Sequence, residues 1–154
     1  MKKLSQKEKN ILRQNLVDFA EKFVGIPYKY GATLKDAPQA FDCSGFIQYV
    51  YKNFGYEIPR STILQAEFAG KKVKNIEDLK SGDLLFFHSN SGHYNKKFPQ
   101  GIGHVAMYIG DNKVIHASAK RIATYPRIIE KGSVEIKPLK LVIKKSLVVI
   151  KRII

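Results

Sequence analysis

The apolar residues of this chain change their period part-way along it, and that change limits the folds open to it. Up to about residue 69 they recur three or four apart. Leu12, Leu16, Phe19, Ala20 and Phe23 form one such set, and Phe46, Ile47, Val50, Tyr51 and Phe54 form another. That is the spacing of one helical face. Beyond it, DLLFF, HVAMYIG, KVIHAS, SVEIK and SLVVIKRII are short runs rich in Val, Ile, Tyr and Phe. Each is bounded by Gly, Asn, Asp, Ser or Pro, as strands are. Helices followed by strands predict an α+β domain, with N-terminal helices packed on one antiparallel sheet. At 154 residues, 44% apolar and without repeat or linker, the chain reads as one domain, 1–154.

Local signals set the expected boundaries. Ser5 and Glu8 have capping-box spacing, and Gly25 with Pro27 ends the first helix. Asp42 is a good N-cap for the second, so Cys43 falls in its first turn, and Gly55 stops it. A short third helix is expected from near Ser61 to Ala69. Tyr28 to Phe41 reads as a loop. HSNSGHYNKKFPQGIG reads as a long polar surface loop beside whatever site the sheet carries.

Cys43 is the only cysteine, so no internal disulfide exists. At a helix N-terminus, unpaired N–H groups and the helix dipole favour negative charge. They are expected to lower the thiol pKa and populate the thiolate, which is the nucleophile. The same N–H groups can hold an oxyanion. Ser44 and Gly45 are small, leaving a substrate room to approach the backbone. A nucleophilic thiol needs a base, and there are four histidines. His104 opens an apolar strand after the flexible Gly101-Ile102-Gly103 approach, and His116 interrupts the next. A polar ring so placed must find a hydrogen-bond partner. One solution is that His104 accepts the thiol proton while His116 orients His104. His88 and His93 read as rim residues of the polar loop. Cys43, His104 and His116 could alternatively ligate zinc with an open fourth position, although their spacing matches no zinc signature. No cofactor is expected.

The two histidines can meet only in one register. A two-residue loop of Asp111 and Asn112 would pair Met107 with His116 and put the rings on opposite faces of the sheet. A three-residue loop of Gly110, Asp111 and Asn112 pairs Ala106 with His116, diagonal to His104. An odd-length hairpin loop and a ring-to-ring hydrogen bond are therefore expected.

FDCSGF, PRSTILQ, SGDLLFF, GHVAMYIG and VIHAS follow one another between about Val24 and Ser118. In this order they resemble the NlpC family of papain-like cysteine peptidases. The resemblance implies a papain-like core with Cys43 as nucleophile, His104 as base and His116 as the third polar member. It implies Tyr28 over the nucleophile, near the oxyanion site, and Asp42, Ser44, Arg60 and Ser61 against the substrate. The chain departs from the family at Tyr30, where tryptophan is common, and in the loop from His88 to Gly103, which is longer. The activity implied is hydrolysis of peptidoglycan stem peptides at the D-glutamyl–diamino acid bond. The setting implied is extracytoplasmic, at a bacterial wall or delivered by a phage. Alternatives are a papain-like amidase or acyltransferase on another acyl substrate, and a non-catalytic basic module that binds wall polymers.

Charge bears on the partners. Lys and Arg number 27 against 13 Asp and Glu, a net +14 that favours anionic wall polymers. No specific nucleic-acid partner is expected. Lys137, Lys140, Lys144, Lys145, Lys151 and Arg152 would hold the chain on such polymers if they form one face. No apolar run is long enough to span a bilayer, and no signal peptide is visible at the start.

Overall fold

The computed structural model describes residues 3–90, 92–144 and 147–154. Helix α1 (Gln6–Glu21) begins at the anticipated capping box: the Ser5 side chain accepts from the Glu8 amide, and the Glu8 carboxylate accepts from the Ser5 amide. Helix α2 (Cys43–Lys52) begins at Cys43 with Asp42 as its N-cap. Helix α3 (Thr62–Phe68) is capped by Ser61. Six strands follow: β1 (Lys71–Val73), β2 (Leu84–Phe87), β3 (His104–Gly110), β4 (Lys113–Ala123), β5 (Ile129–Pro138) and β6 (Leu147–Arg152). A one-turn helix α4 (Leu139–Val142) precedes β6. The strands form one antiparallel sheet in the order β1-β6-β2-β3-β4-β5. The fold is therefore α+β. Strand β1 was not anticipated, because KKV is too short and too charged to read as a strand. Strands β4 and β5 run well past KVIHAS and SVEIK, pairing from Lys113 with Pro138 as far as Ala123 with Ile129.

The sheet is buried on both faces. Leu84, Phe86, Val105, Met107, Ile115 and Ala117 join the core beneath α1 and α2, with Phe46, Ile47, Val50 and Tyr51 of α2 fully buried there. The alternate residues Leu85, Phe87, Ala106 and Val114 pack with Leu139 and Val142 of α4 on the other face. Two-sided burial explains why DLLFF is a continuous apolar run rather than an alternating one. Phe41, just ahead of α2, lies 5.3 Å from both Phe46 and Tyr49 by ring centroids.

The β3–β4 register is the expected one, but the loop is not. Met107 pairs with Ile115, which sets Ala106 opposite His116. Yet Gly110 pairs with Lys113 across a two-residue turn, with Asp111 and Asn112 both left-handed at φ 51° and 57°. Two left-handed central residues suit the natural twist of a hairpin. The odd residue is taken up instead by a bulge at Ile109, where the register shifts.

Among the described residues that single basic face does not form. Strand β5, with Lys137, and strand β6, with Lys151 and Arg152, are four strand spacings apart, about 19 Å. Arg152 is turned inward, its Nε and Nη2 at 2.9 and 2.7 Å from the carboxylate of Asp83, which is 1% exposed. Lys137 Nζ lies 3.8 Å from Glu135, and Lys151 donates to the Glu67 carbonyl at 3.3 Å. Lys145 lies outside the described residues.

Tyr51 offers a test of the packing of α2. Its hydroxyl donates to the Gly82 carbonyl at the start of β2. Burial above all, then the charges of Asp83 and Tyr56, push its pKa up, against the pull of Arg13. The unfolded phenol ionises near pH 10, while the folded one keeps its proton. The native state then binds more protons than the unfolded state, so stability falls as pH rises beyond about 10. One retained proton gives a slope of about 1.4 kcal/mol per pH unit. Tyr51→Phe should cost about 1–3 kcal/mol at neutral pH, because the Gly82 carbonyl loses its partner. It should also flatten the alkaline decline, with Tyr28 supplying what remains. Urea unfolding of both proteins between pH 7 and 11 measures both effects, and parallel curves would contradict this account.

Candidate active site

Cys43, His104 and Tyr28 open onto one cleft of about 470 Å³. Asp42, Ser44, Arg60, Ser61 and the rim residues Tyr30 and His93 line it as well. A separate hollow of about 530 Å³, between α1 and residues 79–81, contains neither cysteine nor histidine.

The start of α2 is tied down on every side. The Asp42 carboxylate accepts from the Gly45 amide at 2.7 Å. Arg60 Nη2 donates to the other oxygen of Asp42 at 2.8 Å and to the Ala32 carbonyl, and Nη1 donates to Ser44 Oγ at 2.8 Å. Gln65, fully buried, donates to the carbonyls of Ser44 and Pro59 at 3.0 and 2.8 Å. Gly45 is small for these neighbours rather than for a substrate. A Cβ there would stand 2.7 Å from Asp42 Oδ1 and 3.2 Å from Arg60 Nη2.

Cys43 is only 8% exposed. Its sulfur lies 3.7 Å from Thr62 Oγ1, and the amides of Val105 and Ser44 point at it. Burial pushes the thiol pKa up. Thr62 pulls it down, the Asp42 charge pushes it up again, and the two amides pull it down. The balance is upward, which corrects the expectation drawn from the helix terminus. Amide dipoles help a thiolate that water can also reach, but here burial removes the water and costs more than the amides return. Burial thus favours the neutral thiol over the thiolate.

His104 and His116 project from one face, in phase with Ala106 and Val114. Their rings meet as anticipated, with His104 Nε2 at 2.8 Å from His116 Nδ1. Nitrogens that hydrogen-bond each other cannot both hold one ion, and this arrangement does not suit the zinc alternative. Among the described residues no group of three or more His, Cys, Asp or Glu side chains is disposed to hold a metal. Glu135 was not anticipated: it stands directly opposite His116 on β5, with its Oε1 3.0 Å from His116 Nε2. In SVEIK it reads only as the polar member of an alternation. The length of the β4–β5 loop, which sets the register, cannot be read from the residues.

The remaining anticipated residues are distributed as follows. Tyr28 is held by its amide, which donates to the Gly132 carbonyl at 2.9 Å, and by a bridge to Phe41. Burial first, then the charges that Cys43, Glu130, Asp42 and Tyr30 carry when ionised, push its pKa up, so it stays a hydroxyl donor in the cleft. Tyr30 is 64% exposed at the rim. His93 is exposed there too, while His88 turns into its loop, with Nδ1 at 3.3 Å from the Gly101 carbonyl. The long loop is anchored by buried Phe98 and Ile102 and by the Ile102 amide, which donates to the His93 carbonyl at 2.7 Å.

Known proteins share both the sequence and the architecture. The Bacillus subtilis (strain 168) gamma-D-glutamyl-L-lysine dipeptidyl-peptidase is 38% identical over 104 residues, covering 68% of this chain and 31% of that protein. The Escherichia coli (strain K12) murein DD-endopeptidase MepS/murein LD-carboxypeptidase is 35% identical over 108 residues, 70% of this chain and 50% of that protein. The chain thus spans a third to a half of the length of these curated relatives. Among solved structures, an NlpC/P60 family protein from Bacillus cereus ATCC 10987 superposes with a TM-score of 0.70 at 33% identity, over 92% of this chain and 40% of that one. The sequence model of the NlpC/P60 family matches residues 25–135, a stretch that runs from the loop before Tyr28 through Cys43 and both histidines to Glu135, and the chain belongs to that family.

Proposed function

We propose that this chain is a cysteine peptidase that hydrolyses peptidoglycan stem peptides, with Cys43 as nucleophile, His104 as base and His116 orienting the base. The observation that carries the reading is the histidine pair, hydrogen-bonded at 2.8 Å, whose His104 lines the same cleft as a buried thiol at the start of α2. His104 Nε2 engages His116, and Nδ1 takes the thiol proton as the sulfur attacks the substrate carbonyl. The Tyr28 hydroxyl and the helix-terminal amides offer donors to the oxyanion. His104 then returns the proton to the leaving amine, and water releases the acyl group by the same route in reverse. Arg60, with 39% of its side chain exposed beyond its ion pair with Asp42, presents a cation to a stem-peptide carboxylate, and Ser44 and Ser61 lie beside it. Such a substrate puts the enzyme at the bacterial wall, outside the cytoplasm.

The relatives' names divide on the bond. One is named for a γ-D-glutamyl-L-lysine linkage, the other for DD-endopeptidase and LD-carboxypeptidase action. We favour the D-glutamyl–diamino acid bond. Digestion of purified stem peptides, with products identified by mass spectrometry, should release fragments ending in D-glutamate. Products cut elsewhere would reassign the bond, and turnover of other acyl substrates alone would favour an amidase or acyltransferase. Cys43→Ala should leave no hydrolysis. His104→Ala should lose about 10²–10⁴-fold, the usual value of a general base, while His116→Asn or His116→Gln should retain part of the rate. Undiminished turnover in Cys43→Ala would end the covalent mechanism.

The raised thiol pKa has its own consequence. Alkylation of Cys43 by iodoacetamide should be slow at pH 5 to 6 and accelerate as pH rises toward and beyond the ordinary thiol pKa of about 8.5. Rapid alkylation at pH 5 would instead reveal a thiolate already formed in the free enzyme.

The net charge of +14 supports a looser association with anionic wall polymers, spread over the surface rather than held by one face. Co-sedimentation with purified wall should therefore decline as salt rises from 0.1 to 1 M, where the Debye length falls from about 10 to about 3 Å. Salt-independent sedimentation would remove the electrostatic account.

A further inference from the structure

We infer that Glu135 is a positioning residue that decides which nitrogen of each imidazole carries its proton, and so makes His104 a base toward Cys43. This rests on the assignment of His104 as base given above. A carboxylate only accepts hydrogen bonds, so at 3.0 Å from Glu135 Oε1, His116 Nε2 must carry a hydrogen. Neutral His116 then has its lone pair on Nδ1. That nitrogen lies 2.8 Å from His104 Nε2, which must therefore be the donor. His104 in turn has its lone pair on Nδ1, the nitrogen that would receive the thiol proton. Glu135 fixes the direction of the whole chain although it does not line the cleft.

The contact between the two rings does not itself set the direction. Two neutral imidazoles can be bonded either way, and the carboxylate favours one of the two. In the reversed arrangement His116 Nδ1 donates to His104 Nε2, and His104 Nδ1 carries a hydrogen. Such a ring cannot accept a proton from the thiol at that atom, so a share of the enzyme would be idle. The fold holds Glu135 in this place by register, since Glu135 pairs directly with His116 across β4 and β5. Lys137 Nζ lies 3.8 Å from Glu135 Oε2, on the far side of the carboxylate from His116. The other titratable and charged groups of the cleft beside the pair are Cys43 of α2 and its cap Asp42, Tyr28 and Tyr30 ahead of α2, Arg60 ahead of α3, His93 of the long loop, Arg121 of β4 and Glu130 of β5, while β2 presents the ring of Phe87. The carboxylate also favours the imidazolium that forms when His104 takes the proton.

The test compares Glu135→Ala and the isosteric Glu135→Gln with the parent, with Cys43→Ala and His104→Ala as references. Glu135→Ala should lower kcat about 10–100-fold, the scale on which orienting partners of a histidine act, with KM little changed. The acid limb of kcat/KM should move to lower pH, because an anion that favours the protonated rings is gone. Nitrogen-15 spectra of the rings should show both histidines protonated at Nε2 in the parent and a mixture of tautomers in Glu135→Ala. Glu135→Gln, whose carbonyl can still accept, should recover part of the tautomer preference and of kcat but not the acid limb. If Glu135→Ala does not fold, as judged by its melting transition, Glu135→Gln carries the test through the acid limb. Parental tautomers and an unmoved acid limb, with Cys43→Ala and His104→Ala inactive, would overturn the role of Glu135 and leave the nucleophile and base standing. Lower kcat with parental tautomers and an unmoved limb would likewise reduce Glu135 to a structural residue. Turnover surviving in His104→Ala would overturn the base assignment itself, a result the ring spectra would register separately.

Discussion

Helix α2 is held against the sheet by Phe46, Ile47, Val50 and Tyr51, none of which has any exposed surface, and the site depends on that burial. Each such side chain contributes about 1.5–3 kcal/mol when removed from water. The body of the helix is therefore fixed in position, and its first turn cannot relax toward solvent. A helix start in that situation must find partners inside the protein. Asp42, Arg60 and Gln65 supply them. The same burial that aims Cys43 at the cleft strips water from its sulfur, which is why the thiol pKa moves up rather than down. Position and protonation state have one cause.

The antiparallel sheet sets side chains from three successive strands in a row beside the cleft: His104 on β3, His116 on β4 and Glu135 on β5. In the mechanism proposed above, that row turns a lone pair of His104 toward the thiol. Side-chain alternation keeps all three on one face, and the bulge at Ile109 brings the first two into phase. A one-residue slip of β3 on β4 would put the rings on opposite faces and break the row. The hairpin turn, far from the cleft, is in this sense part of the site.

The legible parts of this protein were those carried by local patterns. The capping box at Ser5 and Glu8, the N-cap at Asp42, the helical stripe of α2 and the short apolar runs of β2, β3 and β6 each follow from neighbouring residues. The ordered motifs around Cys43, His104 and His116 were legible for the same reason. Strand β1 was missed because its partner β6 lies at the far end of the chain. The basic residues after Lys131 were misgrouped because strand order, not sequence order, decides which of them are neighbours. Arg152 was misread as a surface charge because Asp83 is 69 residues away.

The sequence by itself determined that helices precede strands, that the lone cysteine opens a helix, and that the two histidines could meet only in one register. Each of these follows from spacing along the chain, which no later folding event can alter. Tertiary structure alone decided the rest. It set the sign of the Cys43 pKa shift, which depends on how much water packing removes. It spent Gly45, Ser44 and much of Arg60 on holding α2 together. It brought Glu135 to His116 through a pairing whose connecting loop has no fixed length in the sequence. Burial and register are properties of what surrounds a residue, and those surroundings exist only once the sheet has closed over the helices.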